Sequence, residues 1–344
     1  MASSRIRSLA LLGLTLLLLL PASASAAGLR WRAQRIESVH NGGLGAVSCA
    51  DLQVCVAGDA SGHVLVTTRI RASRWSAPAK VDGAAITGLT CPTIHFCAAV
   101  DQGGGFISST QPTRGARYWS HPVRIDANVA VGGGFAGFAG ISCPAANLCV
   151  AVDDSQPANV FVSSDPTGGR SAWHSVALAG PATSVDCPTT KVCVVAGSQR
   201  YVSVDPTNLT SYKASGALGD AVYSAVDCVG VRLCVGVGFG NSSPGFASAT
   251  RSATGTWSQV YQVAANPPAF TTGLLDAVGC TRGTCVTLDG LDNAYVSSTP
   301  VAGTWGNPAP IRPRSASQSN AISCTSGMCV VVDSAGVETT GLLR

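Results

Sequence analysis

Ile141-Ser-Cys143-Pro-Ala-Ala-Asn-Leu-Cys149-Val-Ala-Val-Asp153 sets two short apolar runs back to back, with a cysteine on each side of the turn that joins them. Near-copies recur six more times. The pairs Cys49/Cys55, Cys91/Cys97, Cys143/Cys149, Cys187/Cys193, Cys228/Cys234, Cys280/Cys285 and Cys324/Cys329 use all 14 cysteines of the chain. A chain built this way is an array of one structural unit.

Working outward from the cysteines, each unit follows one grammar. An apolar run ends in Cys, and a turn leads to a second Cys that opens an alternating run, often closed by Asp. A turn with Gly or Asn then leads to a run ending in Ser or Thr, followed by Trp. In the first unit these are Leu44–Cys49, Cys55–Asp59, Val64–Thr68 and Trp75; in the third, Ala139–Cys143, Cys149–Asp153, Val160–Ser164 and Trp173. Tyr212 replaces Trp in the fourth unit. Four short strands at hairpin spacing are expected per unit. Successive first cysteines lie 42, 52, 44, 41, 52 and 44 residues apart, a period that points to an all-β, seven-bladed β-propeller.

The seventh unit ends after three runs, without a Trp. The segment Leu29-Arg-Trp31-Arg-Ala-Gln-Arg-Ile36 carries a Trp ahead of the first unit. The N-terminal strand is therefore expected to complete the last blade and to remove the open sheet edge that an unclosed array would leave.

Residues 1–26 have the form of a cleaved signal peptide: basic Arg5 and Arg7, an apolar Leu9 to Leu20, and small residues at Ala24-Ser-Ala26. The apolar run is too short to span a bilayer. This predicts a secreted, extracellular protein with no membrane span, folded as a single propeller domain over 27–344. Two cysteines facing each other across a tight hairpin suit disulfide geometry, and export favours it, so one disulfide per blade is expected. With near-balanced charge outside the leader, no nucleic-acid partner is expected.

The segment Val162-Ser-Ser-Asp165-Pro-Thr-Gly168-Gly-Arg-Ser-Ala-Trp173 resembles a lengthened Asp-box, the Ser-x-Asp-x-Gly-x-x-Trp turn of BNR or sialidase-type propellers. Degenerate versions lie at Val202–Tyr212, Ala247–Trp257 and Val296–Trp305. The resemblance implies a propeller of the kind found in secreted bacterial proteins. In that family the box is a structural turn and implies little about activity.

If the first Cys-terminated run is innermost, the Cys turns share one face of the ring. The Asp turns and the blade-to-blade crossovers share the other, where the repeats also vary in length. Binding residues concentrate on variable loops carried by a rigid scaffold. The possible ligand face therefore comprises Phe135, Phe138, Asp153, Asp154, Asn241, Phe270, Asp289 and Asp292, with the phenylalanines expected to be exposed or to plug the channel. Arg69, Arg71, Arg74, Arg114, Arg117, Arg170, Lys191, Arg232, Arg251 and Arg282 fall on the cysteine face, partly offset there by Asp51, Asp165 and Asp205.

No catalytic residue, cofactor site or metal site is identified. His40, His63, His95, His121 and His174 occupy unrelated repeat positions. No nucleophile elbow, phosphate loop or calcium-loop spacing is present. The only glutamates, Glu37 and Glu338, are placed in strands of the closing blade and off the loop face. The expectation is a monomeric extracellular binding or interaction scaffold for a protein or glycan. The competing reading is a sialidase-like or other carbohydrate-active hydrolase or lyase, which needs a positioned carboxylate pair or an activated Tyr.

Overall fold

The computed structural model describes residues 29–127, 137–240, 245–264, 274–313 and 318–342; the segment read as a signal peptide lies outside them. Seven antiparallel sheets follow one another along the chain, and in the first six the strands run in sequence order from the centre outward. Blade 1 runs Leu44–Cys49, Cys55–Asp59, His63–Arg69, with an outermost strand broken into Arg74–Trp75 and Ala79–Lys80. Blades 2 to 6 begin at Ile86, Phe138, Ala182, Ala221 and Leu275, and blade 7 at Ser319. Helical structure among the described residues is confined to single 3-10 turns.

Blade 7 consists of Ser319–Thr325, Met328–Asp333 and Val337–Leu342, and its fourth strand is Arg30–Arg35. Arg30 pairs with Leu342 and Arg35 with Val337, which closes the ring as the sequence predicts. Trp31 faces Gly341, where a Cβ would lie 2.5 Å from the indole. Only glycine leaves room for the ring there.

The second strand of each blade is buried at nearly every position, as in Leu148–Asp153 and Met328–Asp333. This departs from the alternating pattern expected of it. The cause is that neighbouring blades cover both faces of the strand, so its side chains are mostly small and apolar, apart from the terminal Asp that holds the next turn. The core accordingly divides into seven clusters, one at each seam between blades. At the seam of blades 2 and 3, Phe96, Val100 and Phe106 meet Ile141, Phe161 and Trp173. Trp119, Tyr212 and Trp257 occupy the matching place at three other seams. Trp119 and Trp173 precede the outermost strands instead of lying inside them, because they turn inward to seal these clusters.

All seven expected cysteine pairs are disulfide-bonded, one per blade. Cys49 is joined to Cys55, Cys91 to Cys97, Cys143 to Cys149 and Cys187 to Cys193. Cys228 is joined to Cys234, Cys280 to Cys285 and Cys324 to Cys329. The strand ends differ from those expected in the middle of this series. Cys55, Cys234 and Cys285 do open their strands, but Cys97, Cys149, Cys193 and Cys329 are each preceded in the strand by an apolar residue. In blades 2, 3 and 4 the first strand also runs two residues past its cysteine, to Thr93, Ala145 and Thr189, with a register shift on the way. Those are the three blades in which proline follows the first cysteine, at Pro92, Pro144 and Pro188. Proline has no N–H to give the ladder, so the pairing skips it and resumes beyond.

The residue before each first cysteine adds a bond between blades. Its side chain accepts from the N–H of the next blade's first cysteine: Ser48 from Cys91 at 2.9 Å, Thr90 from Cys143 at 3.3 Å and Ser142 from Cys187 at 3.0 Å. Asp186 accepts from Cys228 at 2.8 Å, Asp227 from Cys280 at 2.6 Å and Ser323 from Cys49 at 3.0 Å. This belt is interrupted at Gly279, where a Cβ would sit 2.8 Å from the Cys324 sulfur.

Two outcomes are expected. Ser142→Ala strips an acceptor from Cys187 and should lower stability by about 1 kcal/mol in denaturant unfolding. A chain starting at Ser38 bares the edge of Val337–Leu342 and should unfold at lower temperature and self-associate in size-exclusion chromatography.

Candidate functional site

Strand register fixes the two faces of the ring. Leu44 pairs with Asp59, Ile86 with Asp101, Phe138 with Asp153, Leu275 with Asp289 and Ser319 with Asp333. The Asp turns and the crossovers therefore share one end, and the disulfide turns the other.

On the Asp face most of the residues expected to meet a ligand have structural work. Phe138 is 2 % exposed and packs edge-on against Phe161, so it is a core residue and not an exposed aromatic. It opens the innermost strand of blade 3, and its side chain points into the seam. Asp153 is buried and accepts from the Asn159 N–H at 2.6 Å and its amide at 2.7 Å. Asp289 accepts from the N–H groups of Leu291 and Asn293 and from the Tyr295 hydroxyl. Asp292 pairs with Arg312 and accepts from Ser319. These carboxylates hold turns and seams together and offer little surface. Asp154 alone of the described candidates is partly exposed, and burial raises its carboxyl above the usual range. Phe135, Asn241 and Phe270 lie outside the described residues.

A second set of acidic groups enters from the crossovers. In each of four blades the outermost strand is followed by an apolar residue and then a charged one: Ile36-Glu37, Val81-Asp82, Ile125-Asp126 and Ile311-Arg312. Glu37, Asp82 and Asp126 hold equivalent places, each N–H bonding the carbonyl of a turn glycine in its own blade. Glu37 thus lies just past the closing strand, on the Asp face, which corrects its expected place within that strand. Desolvation first, then the nearby Asp59, raises the Glu37 carboxyl; desolvation and Asp101 do the same to Asp82. Arg312 reverses the pattern by pairing with both Asp292 and Asp333. The repeated apolar-acidic dipeptide was the sequence signal for these seams.

The innermost strands line a central channel of about 310 Å³. Its wall is mostly small and polar, and Asp186, Asp227 and Asp276 face it from blades 4, 5 and 6. Desolvation raises all three carboxyls. Asp186 adds to the effect at Asp227, and Asp289 adds to it at Asp276, which reaches about 6. Asp186 and Asp227 already serve the inter-blade belt. Among the described residues no Arg, Lys, His or Tyr lines the channel beside them, so a carboxylate pair is present without groups to grip a sugar acid.

The cysteine face differs. All ten cations expected there are exposed, and they spread over blades 1 to 6. Arg117 lies 4.9 Å and Arg114 5.7 Å from the Tyr118 ring centre. Exposed Val204 and Val231 sit among them. Asp165 and Asp205 are locally engaged, each accepting from a threonine hydroxyl two residues on. The two turns match closely: Trp173 donates to the Pro166 carbonyl and Tyr212 to that of Pro206.

No family model matches the chain, and no curated protein matches it. Among solved structures it is similar to the WD40 β-propeller domain of Doa1, with a TM-score of 0.66 and 10% identity, covering 92% of this chain and 98% of that one. It is also similar to YCF48 bound to a D1 peptide, with a TM-score of 0.65 and 11% identity, covering 92% and 97%. Both likenesses are of fold. The chain is an all-β, seven-bladed propeller, and no helix of its described residues is long and apolar enough to cross a membrane.

Asp276 at about 6 and Glu338 at about 7 join the seam and channel carboxylates in being raised by burial. A group raised on folding keeps a proton that the unfolded chain has released, so its contribution to stability is lost as pH rises through the folded value. The melting temperature should therefore be higher at pH 5 than at pH 8. Asp227→Asn keeps an acceptor for Cys280 while removing one such group, and should narrow that difference in calorimetry.

Proposed function

We propose that this chain is a secreted, non-catalytic binding scaffold that presents its cysteine face to an acidic extracellular partner, a glycan or a protein surface. The observation that carries this reading is the distribution of exposed charge. Ten cations ring one end of a disulfide-stapled scaffold, whereas the carboxylates of the opposite end are largely enclosed in turns and seams. A predominantly basic field spread over six blades, offset in part by Asp51, Asp165 and Asp205, suits an extended partner better than a small molecule. Seven disulfides favour an oxidising compartment, in keeping with the leader-like residues 1–26. The peptide held by the YCF48 propeller is a precedent for this fold as an interaction platform.

The hydrolase reading draws on the channel carboxylates, Asp227 and Asp276 on adjacent blades. Against it, Asp227 is tied to Cys280, and the turns read as Asp-box-like, at 162–173, 202–212, 247–257 and 296–305, contribute no residue to the channel wall.

Binding of the oxidised chain to anionic and neutral glycans and to acidic and basic proteins tests the proposal. Retention by the acidic members, weakening with salt, is expected; Arg114→Glu with Arg117→Glu should weaken it about tenfold, as for loss of roughly 1.4 kcal/mol. Equal binding to neutral polymers, or polymer cleavage that Asp276→Asn abolishes, would overturn it.

A further inference from the structure

The seam between blades 7 and 1 holds a group of side chains that the belt and the binding face do not use. Glu37, Asp59 and His63 each direct one donor atom into a common space, and these atoms all lie within 4.8 Å of one another. Asp59 is fully buried and Glu37 is 4 % exposed. The His63 side chain is 21 % exposed, giving the space a way out to solvent.

The hydrogen bonds around it leave one donor site open. Asp59 Oδ1 accepts from the N–H groups of Ser61 and His63, and its Oδ2 lies 2.7 Å from His63 Nδ1. Glu37 Oε1 accepts from the Asn41 amide at 2.9 Å. Glu37 Oε2, buried with the rest of that side chain, has no hydrogen-bond partner. The nearby Lys80 ammonium is turned to the Ser61 carbonyl.

The other seams show how this fold treats the same problem. Between blades 6 and 7 the place of Glu37 is taken by Arg312, which neutralises Asp333, the counterpart of Asp59. Between blades 1 and 2 it is Asp82, facing Asp101, and the residue four beyond Asp101 is Gly105. Among the described residues only the closing seam combines two carboxylates with an imidazole four residues after the turn Asp. Two buried carboxylates side by side must share a proton or take a counter-charge, and here an imidazole and an unpartnered carboxylate oxygen are placed to do the latter with a cation.

We propose that Glu37, Asp59 and His63 bind a divalent transition cation of the zinc class, which fastens the N-terminal strand to blade 1. One imidazole nitrogen and two carboxylate oxygens form a donor set that suits zinc, whereas calcium takes six to eight oxygens. Glu37 lies two residues past the strand that closes blade 7, and Asp59 and His63 flank the second turn of blade 1. The cation bridges the two segments whose meeting completes the ring, so its binding energy adds to the stability of closure. This inference is independent of the proposed partner of the cysteine face.

The test uses the untagged, oxidised chain stripped with chelator, then titrated with Zn2+ in a calorimeter and assayed for bound metal after dialysis. One zinc per chain and a higher melting temperature are expected, with Ca2+ causing neither. Glu37→Gln and His63→Ala, checked for fold by circular dichroism, should each weaken zinc by at least about tenfold. The wild-type stoichiometry decides the matter even if a variant fails to fold. No retained zinc, zinc bound equally by both folded variants, or a response to Ca2+ alone would overturn the proposal.

Discussion

Each second strand is covered on both faces by neighbouring blades, and everything else in this molecule follows from that. A strand such as Met328–Asp333 cannot be satisfied by its own sheet. Its side chains need a blade on the left and a blade on the right, which no finite row supplies at its ends. The ring is the arrangement in which every seam is filled. Disulfides within blades and the belt between them reinforce this cohesion from its inner edge. The two devices meet at the same residues, since the cysteine that forms a blade's disulfide also gives its N–H to the previous blade.

The fold was legible because its signals are local and repeated. The pairing of Cys143 with Cys149 marks a hairpin that returns in every blade, and the Trp31 left over at one end matched a missing strand at the other. Burial was less legible. The run Cys149-Val-Ala-Val-Asp153 reads as easily as half-exposed as it does as fully enclosed, because valine and alanine serve both. Phe138 looked like a surface aromatic since it neighbours a glycine-rich crossover, yet the strand starts on it and turns it into the seam. The carboxylates at the seams were missed for a different reason. Glu37 and Asp59 are 22 positions apart and come from different blades, so no spacing rule joins them.

Charge is sorted by where the backbone needs it. At the Asp end, tight turns expose N–H groups, and Asp59, Asp153, Asp289 and Asp333 satisfy them from inside. These acids are consumed by the fold. At the cysteine end the disulfide holds each hairpin, and the arginines beyond it are left to solvent. The contrast between an acidic interior edge and a basic outer surface thus arises from how the two kinds of turn are secured.

Closure by Arg30–Arg35 also imposes an order in time. The first described strand is the partner of the last, so blade 7 stays incomplete until Val337–Leu342 has been synthesised. Its two halves are some 300 positions apart in sequence yet adjacent in space. Contacts of such separation form slowly, and the six blades between them have to be in place to bring the ends together. The two termini of the described chain lie side by side within blade 7. Joining them by a short linker and opening the ring at another crossover would leave the architecture intact while letting a different blade finish last.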